Sequence, residues 1–178
     1  MVASLVNVKE FFRICHYAGL RVHLQTEDQR HWQTLFRNLP SVATTVISYW
    51  ELGFDLCGQP DARRRGLLQR IIQDLRRPRG SIAFWPYATL DAGALVPSQE
   101  FFWRGVHAVQ ASVVLSFGDT LFRALFPHLD VNCDVHQAGT VQVHRLPSLE
   151  CIASDDEETY NRTIAMMTAL LQTDGPSN

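Results

Sequence analysis

Short apolar runs alternate with amphipathic segments along most of this chain. Four runs rich in β-branched or aromatic residues predict strands at 42–50, 81–85, 112–117 and 140–144. Between them, apolar residues at helical spacing predict helices at 61–77, 99–109 and 119–126. The connections are long enough for crossovers, so the alternation predicts a three-layer α/β/α fold with a mostly parallel central sheet of four or five strands.

The same pattern assigns the rest of the chain. Residues 1–40 predict an N-terminal helix, a strand at 20–24 and a second helix, and an acidic cluster at 155–158 begins a last helix that ends near residue 171. The 178 residues suffice for one well-buried core and are few for two. We therefore expect a single domain, 1–178, with its core at 41–172 and a frayed tail at 173–178.

Composition narrows the class of protein. The hydrophobic share of 46% and the charged share of 19% are typical of a soluble globular protein. No apolar run approaches the roughly 20 residues that span a bilayer, so no membrane partner is expected. Lys9 and Glu10 interrupt the segment that an export signal would need to keep apolar, which favours a cytoplasmic location.

Cysteine spacing and charge limit the chemistry further. The four cysteines, Cys15, Cys57, Cys133 and Cys151, form no CxxC pair, so we expect neither a metal site nor any other cofactor. The net charge of −2 argues against a polycation that binds nucleic acid unaided. Lys9 is the only lysine; the preference for arginine suits contacts with phosphate or carboxylate, and a genomic coding bias explains it equally well.

Two loops carry candidate chemistry after predicted strands. Glu51 and Asp55 follow the first core strand and are flanked by Gly53 and Gly58, which would let the backbone approach a ligand. An ordinary connection with solvated acids is the alternative. Trp85 and Tyr87 end the next strand, where they would either stack on a nucleic-acid base or cap the core.

The helix predicted at 61–77 has a one-sided charge distribution. One face is apolar, and the other is arginine-rich, with Arg63, Arg64, Arg65, Arg70, Arg76 and Arg77 followed by Arg79. Such a face binds phosphate or an acidic partner, or is simply solvated. We take Arg63, Arg64, Arg70 and Arg77 as the candidate nucleic-acid or partner surface.

The segment 111–150 predicts a βαβ unit whose second strand runs into His144-Arg145-Leu146-Pro147-Ser148. Asp119 offers a helix cap after the first strand of the unit. Ligands bind at the carboxyl ends of parallel strands, so Glu51, Asp55, Tyr87, Asp119 and 144–148 should converge on one crevice.

The element order over 42–171, together with SVVLSFGDTLFRALFP and HRLPS, resembles the uracil-DNA glycosylase superfamily. The resemblance implies that Glu51 or Asp55 polarises the attacking water and that His144 hydrogen-bonds the base. It further implies that Pro147 and Ser148 contact the DNA backbone, with Arg145 beside them. An aromatic residue, Phe84, Trp85 or Tyr87, would stack on the flipped base.

Two functions follow from this resemblance. The family normally has a glycine and a proline around its acidic or amide residue, and neither precedes Glu51 in the segment WELG. Two residues separate His144 from Pro147. With the acidic net charge, these features favour a domain without standard glycosylase activity that binds DNA or a protein partner in replication or repair. The alternative is an active DNA glycosylase that removes uracil or a damaged base by water attack; a small-molecule hydrolase is a third possibility.

Overall fold

A computed structural model of the chain describes residues 27–130, 132–154 and 157–172. The helix and strand predicted within residues 1–24 and the tail at 173–178 lie outside them. The described helices are α1 (Glu27–Asn38), α2 (Leu52–Leu56), α3 (Ala62–Leu75), α4 (Gln99–Ala108), α5 (Asp119–Leu125), α6 (Leu149–Ser154) and α7 (Glu157–Gln172). The described strands are β1 (Thr45–Tyr49), β2 (Ile82–Phe84), β3 (Ala88–Asp91), β4 (Ala94–Pro97), β5 (Val113–Phe117), β6 (Val135–Ala138) and β7 (Val141–Leu146).

Five strands form the central sheet in the order β2-β1-β5-β7-β6. Strands β2, β1, β5 and β7 are parallel to one another, and β6 joins β7 in the antiparallel direction. Ile47 of β1 lies opposite Leu115 of β5, which in turn lies opposite His144 of β7. The predicted mostly parallel sheet is confirmed.

Helices cover both faces of this sheet, which confirms the three-layer α/β/α fold. One apolar cluster joins the sheet to α1, α4 and α5, and the other joins it to α2, α3, α6 and α7. Every residue of β1 and β5 is buried, because each strand carries a helical layer on both sides.

Short polar residues fix where two of the longer helices begin. The Asp61 carboxylate accepts hydrogen bonds from the N–H groups of Arg63 and Arg64, both at 2.9 Å, and so caps α3. The Ser98 hydroxyl accepts one from the N–H of Phe101 and caps α4. The expected cap at Asp119 is wrong: α5 begins after Gly118 without a side-chain cap, and Asp119 is its first residue.

Three further strands lie where loops were expected. Strands β3 and β4 form a hairpin across a turn in which Ala92 and Gly93 both have positive φ, 47° and 84°. Alanine seldom adopts this conformation, so the usual hairpin signal is missing from the sequence. The edge strand β6 is largely polar and exposed, and a short edge strand needs little apolar sequence.

No helix in the described part of the chain is long and apolar enough to cross a membrane.

Candidate functional site

The parallel strands end at one edge of the sheet, where most of the candidate residues lie. Strand β1 ends at Tyr49, β5 at Phe117 and β7 at Leu146. Strand β7 therefore continues two residues beyond its predicted end at His144, so Arg145 and Leu146 also belong to the strand. Pro147 ends the strand, since it has no N–H to donate to the sheet.

Asp55 is held by every group around it. Its Oδ2 accepts hydrogen bonds from the Tyr49 hydroxyl at 2.7 Å and from Nε of Arg64 at 3.0 Å. Its Oδ1 accepts from Nη2 of Arg64 and from the Asp61 N–H, both at 2.9 Å. Four donors fill the acceptor positions of this carboxylate, so none is left to orient a water molecule.

Charge and burial act in opposite directions on this cluster. Burial alone would raise the pKa of Asp55, but hydrogen bonds from Arg64, Tyr49 and the Asp61 N–H outweigh it and hold that pKa below its usual value. Burial and the Asp55 carboxylate raise the pKa of Tyr49. Asp55 is therefore a charged structural anchor between β1 and α3.

Glu51 lies at the start of α2, directly after β1. Its carbonyl accepts hydrogen bonds from the N–H groups of Phe54 and Asp55, and its half-buried side chain does not cap the helix. Within the described residues the Glu51 carboxylate makes no hydrogen bond or ion pair. Of the two predicted acids, Glu51 alone retains open acceptor positions.

The glycines around these acids do not open the backbone to a ligand. A Cβ at Gly53 would lie 2.2 Å from the Ala88 carbonyl oxygen and 2.8 Å from Leu95. Gly53 is thus required where α2 packs on the β3–β4 hairpin. Gly58 has a φ of 95° and open space around it, which indicates a turn.

His144 is buried in the sheet, on the face that also carries Ile47 and Leu115. Its Nε2 lies 3.3 Å from the Gln142 amide oxygen, two residues back on the same face of β7. Leu115, which is fully buried, separates His144 from Ile47 across the sheet. The pocket that Asp55 lines does not include His144 in its lining.

Arg145 extends from the other face of β7 and joins the ends of three segments. Its Nε donates to Asp134 at 3.0 Å, and its Nη1 donates to Asp119 at 3.3 Å. The hydrogen bond to Asp134 raises the pKa of Arg145. Both carboxylates neutralise the guanidinium, so Arg145 holds β7 to α5 and to the loop ahead of β6.

The loop after β7 is occupied in starting α6. The Ser148 Oγ accepts a hydrogen bond from the N–H of Cys151 at 3.1 Å. A Cβ placed on Gly118, at the end of β5, would contact Cβ of Ser148 at 3.4 Å. Pro147 and Ser148 thus lie at the predicted edge, with the serine acting as the cap of a short helix.

Trp85 and Tyr87 differ from the predicted stacking platform. Trp85 is fully buried, donates from Nε1 to the Phe101 carbonyl at 3.1 Å and packs against Trp32 and Phe36. A ligand cannot reach it without unfolding that layer. Tyr87 is 6% exposed, lies 6.0 Å from the Trp50 ring, and its pKa is raised by burial. Of the two, Tyr87 is the one next to the strand ends.

The arginines of α3 divide into two groups. Arg64 binds Asp55, and Arg70 pairs with Glu157 while its guanidinium lies 3.8 Å from the centre of the Tyr160 ring. Both arginines therefore have acidic partners within the protein, and the side chain of Arg70 is half exposed. Within the described residues, no acidic side chain pairs with five others: Arg63, Arg65, Arg76, Arg77 and Arg79.

A groove of about 700 Å³, here the α3 groove, runs between α3, α2 and the edge strand β2. Its apolar lining includes Tyr49, Leu52, Leu56, Leu68, Ile72 and Phe84. Asp55, Arg65, Gln69 and Gln73 supply its polar groups, and His144 does not line it. Sequence reasoning missed this groove, although Arg65, Gln69, Ile72 and Gln73 share the spacing of one helix flank.

No cluster of His, Cys, Asp and Glu that could hold a metal lies within the described ranges. Comparison with protein-family models found no match to this chain. Comparison with curated protein sequences found none either.

Proposed function

We propose that this chain is a noncatalytic binding domain, built on a glycosylase-like α/β fold, that recognises an acidic macromolecule. The observation that carries the proposal is the saturation of Asp55. A carboxylate that polarises water needs an open acceptor position, and four protein donors occupy those of Asp55. The hydrogen bonds from Tyr49 and Arg64 give Asp55 a structural role, so no catalytic role is needed to account for this buried carboxylate.

The burial of His144 and Trp85 supports the same proposal. His144 lies within the sheet and bonds Gln142, whereas Glu51 lies at the start of α2. A glycosylase needs its acid and its base-binding histidine on one flipped nucleotide, within hydrogen-bond reach of it. Trp85, the first aromatic candidate, is enclosed in the core.

The charge of α3 and of the turn after it supports an acidic ligand. Arg63, Arg65, Arg76, Arg77 and Arg79 carry five positive charges that no acidic side chain among the described residues neutralises. Planar guanidinium groups bind phosphate and carboxylate in two-point contacts. DNA and an acidic protein partner are the two ligand classes with this chemistry.

The test of the noncatalytic assignment is incubation with uracil-containing single-stranded and duplex DNA, followed by alkaline cleavage. We expect no strand scission above the level of uracil-free DNA. Scission that disappears in Glu51→Ala would overturn the proposal in favour of a base-excision enzyme, because Glu51 is the predicted acid with open acceptor positions. A known uracil-DNA glycosylase serves as the positive control.

The test of binding uses charge reversal at arginines that do not support the fold. Arg63→Glu with Arg65→Glu should weaken binding of an acidic ligand by about tenfold or more. Arg37→Glu with Arg162→Glu changes the net charge equally at exposed positions on α1 and α7, and should leave binding unchanged. Arg64 is unsuitable for this test, because its replacement would remove the ion pair with Asp55 and so destabilise the fold.

A further inference from the structure

We propose that the α3 groove and the outer edge of β2 together bind an extended acidic peptide, which adds a strand to the sheet. The inference rests on the proposed binding function and names its ligand. Three features carry it: the direction of the β2 backbone groups, the apolar lining of the groove, and the position of the unpaired arginines.

Strand β2 lies at one edge of the described sheet. The N–H and C=O groups of its successive residues point alternately toward β1 and toward the outer edge. The Thr45 N–H donates to the Ser81 carbonyl at 3.1 Å, and the Trp85 N–H donates to the Ile47 carbonyl at 3.2 Å. In a parallel pair alternate residues face the same neighbour, so the N–H and C=O of Ile82 and Phe84 point outward. Within the described residues no strand pairs with that edge.

The α3 groove adjoins this edge on the face that carries α3. Phe84 belongs both to β2 and to the lining of the groove, and Ile72 and Leu56 line it further along. Leu56 is 39% exposed, a large fraction for a leucine beside a core. Side chains alternate along a strand, so every second residue of an added strand would enter this groove.

Positive charge lies in the lining of the groove and beyond the end of α3. Arg65 lines it near the start of α3, and Arg76, Arg77 and Arg79 lie between the end of α3 and the start of β2. Arg65 and Arg76 are eleven residues apart, about 16 Å along a helix. An extended chain of about five residues covers that distance. The spacing fits apolar residues at alternate positions between two acidic ends.

An acidic peptide fits these features better than nucleic acid does. Strand addition uses backbone N–H and C=O groups, which β2 offers and which a nucleic acid cannot pair in a ladder. Leucine and isoleucine side chains form much of the groove, whereas a base-binding surface relies on aromatic stacking. Gln69 and Gln73, which also line the groove, are uncharged and so do not favour a phosphate group over a peptide.

The experiment measures fluorescence anisotropy of a labelled peptide, EELTFTLEE, titrated with the full chain. A peptide of the same composition with adjacent apolar residues, EETLFLTEE, and the basic peptide KKLTFTLKK are matched controls. We expect saturable binding of the first peptide only, weakening as salt rises. Equal binding of EETLFLTEE would overturn the inference, because a strand presents only alternate side chains to the groove.

Protein variants and backbone-methylated peptides locate the complex. Leu56→Glu should weaken peptide binding by about tenfold or more, as should Arg65→Glu, whereas Arg37→Glu should not. N-methylation of alternate peptide amides blocks one edge of a strand, so only one of two complementary methylated peptides should lose binding. Loss of binding in both, or in neither, contradicts strand addition.

Hydrogen exchange supplies a readout that does not depend on a variant folding. The amides of Ile82 and Phe84 should exchange rapidly in the isolated chain and slowly with bound peptide. Slow exchange in the isolated chain would show an edge already paired and would overturn the inference. Arginine-dependent binding of DNA without peptide binding would overturn it too, yet leave the proposed function standing. Uracil excision would remove that function, as would binding of acidic ligands that is unchanged by Arg63→Glu with Arg65→Glu.

Discussion

At the scale of single residues, the Asp55 carboxylate joins three segments of the chain. It accepts hydrogen bonds from Tyr49 at the end of β1, from Arg64 in α3 and from the Asp61 N–H ahead of α3. Replacing Asp55 by Asn removes the carboxylate charge 2.9 Å from the Arg64 guanidinium and leaves it with the exposed Glu150 carboxylate at 4.0 Å. We expect Asp55→Asn to lower the free energy of unfolding by about 3 kcal/mol at neutral pH, measured by urea denaturation.

The pH dependence of stability shows whether Asp55 stabilises the fold through its charge or only through packing. The pKa of Asp55 is lowered from 3.8 in the folded chain, so its contribution is complete above that value and is lost as pH falls through the folded pKa. Asp55→Asn should therefore lose less stability than the native chain on acidification. Parallel losses in both proteins would contradict the assignment. Glu150→Gln is the control, because Glu150 is 62% exposed and 4.0 Å from Arg64.

Local residue chemistry could be predicted from the sequence, and these longer-range pairings could not. Asp61 caps α3 through the N–H groups two and three residues later, so the start of α3 can be predicted from the local sequence. The arginine that pairs with Asp55 could not be predicted in this way. Three consecutive arginines, Arg63 to Arg65, are candidates, and the choice depends on which side of α3 faces α2. Only the folded arrangement selects Arg64.

At the scale of elements, the contact between α4 and Trp85 depends on the absence of a side chain at Gly105. A Cβ there would lie 2.0 Å from the Trp85 ring, which is fixed by its hydrogen bond to the Phe101 carbonyl. We expect Gly105→Ala to lower the free energy of unfolding by about 3 kcal/mol, because α4 must move off the sheet. Thermal or urea unfolding measures the change.

Gly66→Ala is the matched control for that substitution. Gly66 lies within α3, is exposed and has no atom within 4 Å of a built Cβ. Alanine leaves the unfolded chain fewer backbone conformations than glycine does, so less entropy is lost when the helix forms. Gly66→Ala should therefore raise the free energy of unfolding by about 0.5 to 1 kcal/mol. Destabilisation at both glycines would indicate a general intolerance of alanine and contradict the role of Trp85.

Element prediction succeeded where apolar periodicity is strong. The runs that became β1 and β5 are buried on both faces, so their sequence is apolar throughout and conspicuous. The β3–β4 hairpin was missed because its turn uses Ala92, and β6 because an edge strand needs few apolar residues. The end of β7 was misplaced by two residues, although Pro147 marks it.

At the scale of the whole molecule, the alternation of strands and helices was enough to predict three layers, but not the α3 groove. The groove lies where α2 and α3 meet β2, which is the outermost strand at that end of the described sheet. Strand order is set by tertiary packing, which no single segment encodes. The candidate residues were expected at strand ends, whereas His144 and Arg145 lie within β7 on opposite faces of the sheet.

The two helical layers share one sheet, so we expect them to unfold together. All four tryptophans, Trp32, Trp50, Trp85 and Trp103, pack in the cluster beneath α1, α4 and α5. Their fluorescence therefore reports one layer, whereas far-ultraviolet circular dichroism reports both. The urea curves from the two signals should coincide.

The Asp55→Asn variant gives the sharper form of this prediction. Asp55 lies with α2 and α3, on the opposite side of the sheet from the tryptophan cluster. If the sheet couples the layers, the substitution should shift the tryptophan midpoint by the same urea concentration as the circular dichroism midpoint. A tryptophan curve that stays in place while the other moves would show that the layer with α3 unfolds by itself. That result would also place the α3 groove in the less stable half of the molecule.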